Sequence, residues 1–198
     1  MSPKAGLDLN TILAAATEIV DTDGVHSLTL ATLAKKLKIR PPSLYNHVDG
    51  LQGLQGALAI YGLEELYNGM SQAAIGQSKD EAVHAISKAY ISFARAHPGL
   101  YEATLGANAD LNSTEFNSIS SKIVDLVVRV LNAYELEDED SIHATRGIRS
   151  ILHGFASLEQ RNAFGMPIDI DISLNLLIDT FLAGIHKMKS QKLEKHHK

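Results

Sequence analysis

The chain has 198 residues, 45% of them hydrophobic, and no cysteine, which allows a substantial core and excludes a disulfide framework and thiolate metal chemistry. Its formal net charge of −5 argues against a broadly basic surface for nucleic acid, so any such role needs its positive charge concentrated locally. The opening MSPKAGLDLN has no apolar signal core and no apolar run approaches the roughly 20 residues that span a bilayer, so the expectation is a soluble, cytoplasmic protein without a membrane partner.

The first helical pattern follows the candidate N-cap Asn10 and places Ile12, Leu13, Ala16, Ile19 and Val20 on one face. Asp23-Gly24 supplies its stop. Leu30, Leu33, Ala34 and Leu37 then recur at i, i+3, i+4 and i+7, which predicts a short helix over Leu30 to Leu37 with Thr29 as its N-cap. Lys38, Ile39 and Arg40 separate it from Pro41 and Pro42, which suit only the first turn of a new helix because proline has no N–H to donate. In that helix, over Pro41 to His47, Leu44 and the following Val48 lie one turn apart and face inward. Ser43, Tyr45, Asn46 and His47 are left outside. Two short helices at a tight turn, buttressed by the first, outline a three-helix DNA-binding helix-turn-helix domain over residues 1–50. The charge agrees locally: Gly24 to Val48 contains no Asp or Glu but has Lys35, Lys36, Lys38 and Arg40.

A further helix is predicted from Leu51 to about Ile75. Its glycines, Gly53, Gly56, Gly62 and Gly69, fit either a bent, loosened helix or close packing against a neighbour. Helical patterns follow over Asp80 to His97, ended by His97-Pro98-Gly99, and over a short segment Leu100 to Leu105. The polar stretch Gly106 to Ser113 reads as a loop, and the pattern from Phe116 to Tyr134 as a long helix. The acidic run Glu135 to Asp140 opens the next helix, Ser141 to Phe164, and the last runs from Ser173 to Met188. The expected fold is therefore all-α, with about nine helices: the domain 1–50, a helical domain over 51–190 and a flexible tail at 191–198. No phosphate-binding loop, nucleophile elbow or zinc-protease motif occurs, so no enzyme and no cofactor is expected. His84, His143 and His153 are scattered, and nothing preorganises His196-His197 in the tail, so no metal site is expected.

The run LAKKLKI, the two prolines and Ser43-Leu44-Tyr45-Asn46-His47-Val48 resemble the TetR family of one-component transcriptional regulators, as do Gly24-Val25 and Leu28-Thr29 before them. The resemblance implies a DNA-binding regulator, a repressor rather than an activator, released from its operator by a small molecule. Carried over by position, Thr29, Tyr45 and His47 touch phosphates with Lys36 adding charge, while Arg40, Pro41, Pro42, Ser43 and Asn46 face base edges. One departure stands out: the lysine usual at the start of the next helix is replaced by Leu51, with Asp49 nearby, which removes a phosphate anchor.

The resemblance also implies a homodimer joined through the last two helices, with Ile151, Phe155, Leu174, Leu177, Ile178, Phe181, Leu182 and Ile185 at the interface, and hence a palindromic double-stranded operator. It further implies a cavity lined by Tyr61, Glu65, Tyr90, Phe93, Tyr101, Phe116 and His153 for a largely apolar inducer. The competing reading is a small helical enzyme or carrier that binds no DNA.

Overall fold

The computed structural model of the chain describes residues 7–105, 113–136 and 138–196. Among them there are no strands; eight α-helices and the 3-10 helix Pro41–Asn46 make up the fold, with short 3-10 turns at Val25–Ser27 and Asn132–Tyr134. We label the α-helices α1 (Leu9–Asp23), α2 (Leu30–Leu37), α3 (Gly50–Ala74), α4 (Lys79–Ala96), α5 (Pro98–Leu105), α6 (Thr114–Leu131), α7 (Asp138–Gln160) and α8 (Ile170–His196). The described residues fall into two compact units, one drawn from Met1–Glu65 and Ala96–Ile119, the other from Leu66–Arg95 and Ser120–Lys198.

In the first unit, the apolar stripes of α1 and α2 close over one core in which Ile12, Ala16, Leu33, Leu44, Leu54, Leu58, Leu100 and Tyr101 are buried. Each fully buried leucine or isoleucine contributes about 1.5–3 kcal/mol relative to exposure. The N-cap of α1 is Asp8, not the expected Asn10: its Oδ1 accepts from the Thr11 backbone N–H at 2.7 Å. That hydrogen bond, first among the causes, holds the Asp8 carboxyl below its ordinary pKa. α1 stops at Gly24, whose φ of +83° and extended ψ of 162° lead directly into the Val25–Ser27 turn.

The His97-Pro98-Gly99 sequence, read above as a helix stop, is also a joint. Asp21, at the end of α1, accepts from the Leu100 backbone N–H at 2.9 Å and pairs with His97 Nδ1 at 2.8 Å, so its carboxylate satisfies the open N-terminus of α5. Gly99 sits flat against the last turn of α1, where an added Cβ would overlap the Val20 carbonyl. Of the two uses expected for the glycines of the long helix, close packing holds for Gly62, against which Leu100 and Thr104 of α5 press. α3 itself runs unbroken for 25 residues.

In the second unit Val83, Ile86, Tyr90, Ile91, Leu131, Ile148, Leu152, Ile178 and Ile185 form the core. Polar ties surround it. The Tyr134 hydroxyl donates to Asp80 Oδ1 at 2.7 Å, His186 Nε2 lies 3.0 Å from the same oxygen, and His84 Nε2 lies 2.8 Å from Asp179 Oδ1. At the other end of α4, Arg95 grips Glu159 of α7 with Nε at 2.9 and 3.0 Å and reaches Asp171 of α8 with Nη2 at 2.7 Å. α7 ends at Gln160, before the expected Phe164, whose ring rests on Phe155 with centroids 5.0 Å apart. α8 begins at Ile170 and continues to His196, so most of the stretch expected to be a flexible tail is helical.

Candidate nucleic-acid interface

The interface is assembled from α2, the turn after it and the Pro41–Asn46 helix. Thr29 opens α2 with a capping box: its Oγ1 accepts from Thr32 N at 3.0 Å, and its own N–H donates to Thr32 Oγ1 at 2.9 Å. Thr32 Oγ1 also lies 2.9 Å from the Ser27 carbonyl, which pins the entry to the helix. The apolar spacing then buries Leu33 and Ala34 and leaves Lys35 and Lys36 exposed. α2 ends by turning left-handed at Lys38, with φ 56° and ψ 40°, a conformation that costs a side-chain-bearing residue on the order of 1 kcal/mol. The chain then extends at Arg40 and re-enters a helix at Pro41, with the two prolines in the first two positions.

That second helix is 3-10 rather than α, which the sequence pattern did not reveal. Leu44 is fully buried, Val48 is nearly so, and the Val48 N–H donates to the Leu44 carbonyl at 3.0 Å; the two form the anchor on which the segment rests. Arg40, Pro41, Pro42, Tyr45, Asn46 and His47 are all exposed, Tyr45 by 62%, and Ser43 is half-buried. A ring this open, on a segment otherwise packed by apolar anchors, offers its hydroxyl to whatever lies outside. Lys36 differs from the expectation in one respect: its Nζ pairs with Glu18 of α1 at 2.6 Å, so an incoming phosphate must compete with a carboxylate. Such an exposed pair contributes only about 0–1 kcal/mol.

The residues expected around an inducer are distributed differently. Tyr90 is buried in the second unit and Tyr101 in the first. Phe93 and His153 are half-buried in the second unit, while Glu65 is exposed in the first. The half-buried Tyr61 hydroxyl is pushed above its ordinary pKa, first by burial and then by Glu65. Phe116 alone of the seven lines a cleft of about 360 Å³ in the first unit, formed by Asp49, the first turns of α3 from Gln52 to Ile60, Ser113 and the start of α6. Sequence reading missed this cleft because its walls come from segments more than fifty positions apart.

The expected dimer residues are likewise divided. Phe155, Leu174, Ile178, Leu182 and Ile185 are buried within the chain's own second unit. Ile151 is half-buried, and Phe181 is half-buried beside Gly147, whose added Cβ would lie 3.2 Å from its ring. Leu177 remains exposed, and it is joined by Ile172, Leu176 and Met188 on α8 and by Leu158 on α7.

An all-helical chain whose N-terminal unit presents an acid-free helix-turn-helix belongs to the class of helix-turn-helix DNA-binding proteins. Residues 83–181 match the family model for the tetracyclin repressor-like C-terminal domain. The chain is 43% identical over 187 residues to the uncharacterised HTH-type transcriptional regulator YobS of Bacillus subtilis, covering 93% of this chain and 96% of that protein. It is 31% identical over 183 residues to the uncharacterised HTH-type transcriptional regulator Rv0681 of Mycobacterium tuberculosis, covering 92% and 84%. A Rhodococcus protein of unknown function shares the fold with a TM-score of 0.81 at 24% identity, covering 93% of this chain and 98% of that one. So does a TetR variant from Acinetobacter baumannii solved in complex with minocycline, with a TM-score of 0.70 at 23% identity over 92% and 98%. The chain belongs to the TetR family of transcriptional regulators.

Proposed function

We propose that the chain is a ligand-responsive DNA-binding regulator: a cytoplasmic homodimeric repressor that sits on a palindromic operator and leaves it when a small molecule binds. The observation that carries this reading is the reading head itself, in which Arg40, Tyr45, Asn46 and His47 stand exposed on the Leu44 and Val48 anchor. A small enzyme or carrier has no use for such a surface. Residues 1–50 read the operator, 51–190 bind the effector and the second copy, and 191–198 have no assigned part. The Acinetobacter TetR variant, solved with minocycline, supports effector control on this fold.

One short helix reads only a few base pairs, so specific binding needs two heads about 34–36 Å apart, which is the geometric reason for the dimer and the palindrome. The dimer face that fits the burial pattern comprises Leu158, Leu176, Leu177 and Met188, with Gly154 and Gly184 allowing close approach of helices. The test is a gel shift on the DNA upstream of the protein's own gene, at low and physiological salt. A specific complex that weakens steeply with salt is expected. Failure to bind any neighbouring promoter at low salt overturns the reading in favour of a carrier or enzyme.

A further inference from the structure

The cleft in the first unit has a lopsided chemistry. Gly53, Gly56, Ile60 and Phe116 form its apolar part, Asp49 and Glu115 stand exposed at its edge, and no Lys, Arg or His occurs among the described residues that line it. Gly56 is where the room comes from: a Cβ added there would meet nothing within 4 Å, so the missing side chain is open volume. At about 360 Å³ the cleft lies at the small end of ligand-binding cavities and admits one ring with a short substituent. Two carboxylates without a resident cation, backed by apolar walls, concentrate a negative potential at its mouth. A neutral ligand gains only the apolar contact there, an anion is repelled, and a cation gains the apolar contact and the potential together.

We propose that this cleft binds a small organic cation, an amine or amidinium borne on a single ring, and that this is the chemical class of the effector. The second half of the statement rests on the regulator reading; the binding itself does not. The site also has a direct route to the reading head. Asp49 follows Val48 immediately, and Gly50, with φ +65°, is the joint at which α3 begins, so a ligand held between Asp49 and Glu115 bears on the link between α3 and the Leu44 and Val48 anchor.

The test uses the full-length protein titrated with benzamidine, with its uncharged analogue benzamide and with benzoate, followed by ligand-observed NMR at millimolar probe. Benzamidine is expected to bind at least about tenfold more tightly than benzamide, as one charge-assisted hydrogen bond would give. Glu115→Gln, a change at an exposed side chain that leaves the fold intact, is expected to remove that advantage while benzamide binding stays the same. Gly56→Leu is expected to abolish binding of both, with its melting temperature confirming that the fold persists. Equal binding of benzamidine and benzamide, binding indifferent to both substitutions, or no benzamidine binding at all overturns the proposal. A parallel gel shift separates the two readings. Cleft binding by a protein that fails to bind DNA keeps the site and removes the regulator, whereas DNA binding without cleft binding does the opposite.

Discussion

Asn46 and Tyr45 are adjacent and equally outward, yet they carry different expected roles on DNA. A base contact specifies and a phosphate contact positions. Asn46→Ala is therefore expected to relax preference at one operator position, at a cost of about 1–3 kcal/mol. Tyr45→Phe removes one hydroxyl and is expected to weaken all sites alike by about 0.5–1.5 kcal/mol. Competition gel shifts against operators changed one base pair at a time check both, and an Asn46→Ala protein with unaltered preference would sink its assignment. These residues could be picked out from sequence because local spacing decides which side of a short anchored segment each occupies. The Lys36 to Glu18 pair could not, since α1 and α2 must pack before the two charges meet.

At the scale of elements, the α1 to α5 joint and the α4 to α8 tie make opposite demands on sequence reading. His97-Pro98-Gly99 was legible as a break, but its partner Asp21 lies 76 positions away, and no local pattern announces a contact of that range. Gly99→Ala forces a methyl group into a backbone carbonyl that cannot rotate aside, and should destabilise the protein by about 1–3 kcal/mol in chemical denaturation. Asp80 gives a pH prediction. Burial pushes its carboxyl up, but hydrogen bonds from Tyr134 and His186 outweigh that and hold its pKa below 3.8. Because the folded value lies below the unfolded one, the stabilisation is complete above about pH 4 and disappears as pH falls through the lowered value. Tyr134 behaves in the opposite sense: burial, then Asp80, raises its pKa well above 10, so its contribution is present below pH 10 and is lost as pH rises beyond it. Melting curves from pH 3 to 11 should show both flanks. Asp80→Asn should flatten the acid flank and Tyr134→Phe the alkaline one; unchanged flanks would mean other groups set them.

For the whole molecule, the last two helices divide their apolar surface in a way composition alone could not settle. A broad stripe on α8 reads the same in sequence whether it faces the chain's own core or a second copy. Leu174, Ile178, Leu182 and Ile185 are buried, whereas Leu176 and Leu177 are exposed, which fits the dimer face proposed above. Leu176→Arg, at a position 60% exposed, should leave the monomer folded and raise the dimer dissociation constant at least about hundredfold, near 2.7 kcal/mol. Phe181→Arg should instead destabilise the protomer. Light scattering with melting curves distinguishes these outcomes, and a wild type that is monomeric at micromolar concentration would remove the dimer. The left-handed turn at Lys38 sets stability against binding. Glycine there would relieve strain on the order of 1 kcal/mol but delete a cation beside the proposed operator-reading face. A population selected only for heat resistance should drift toward glycine at this position and lose operator affinity as it does, so that the most robust protein is the poorer regulator.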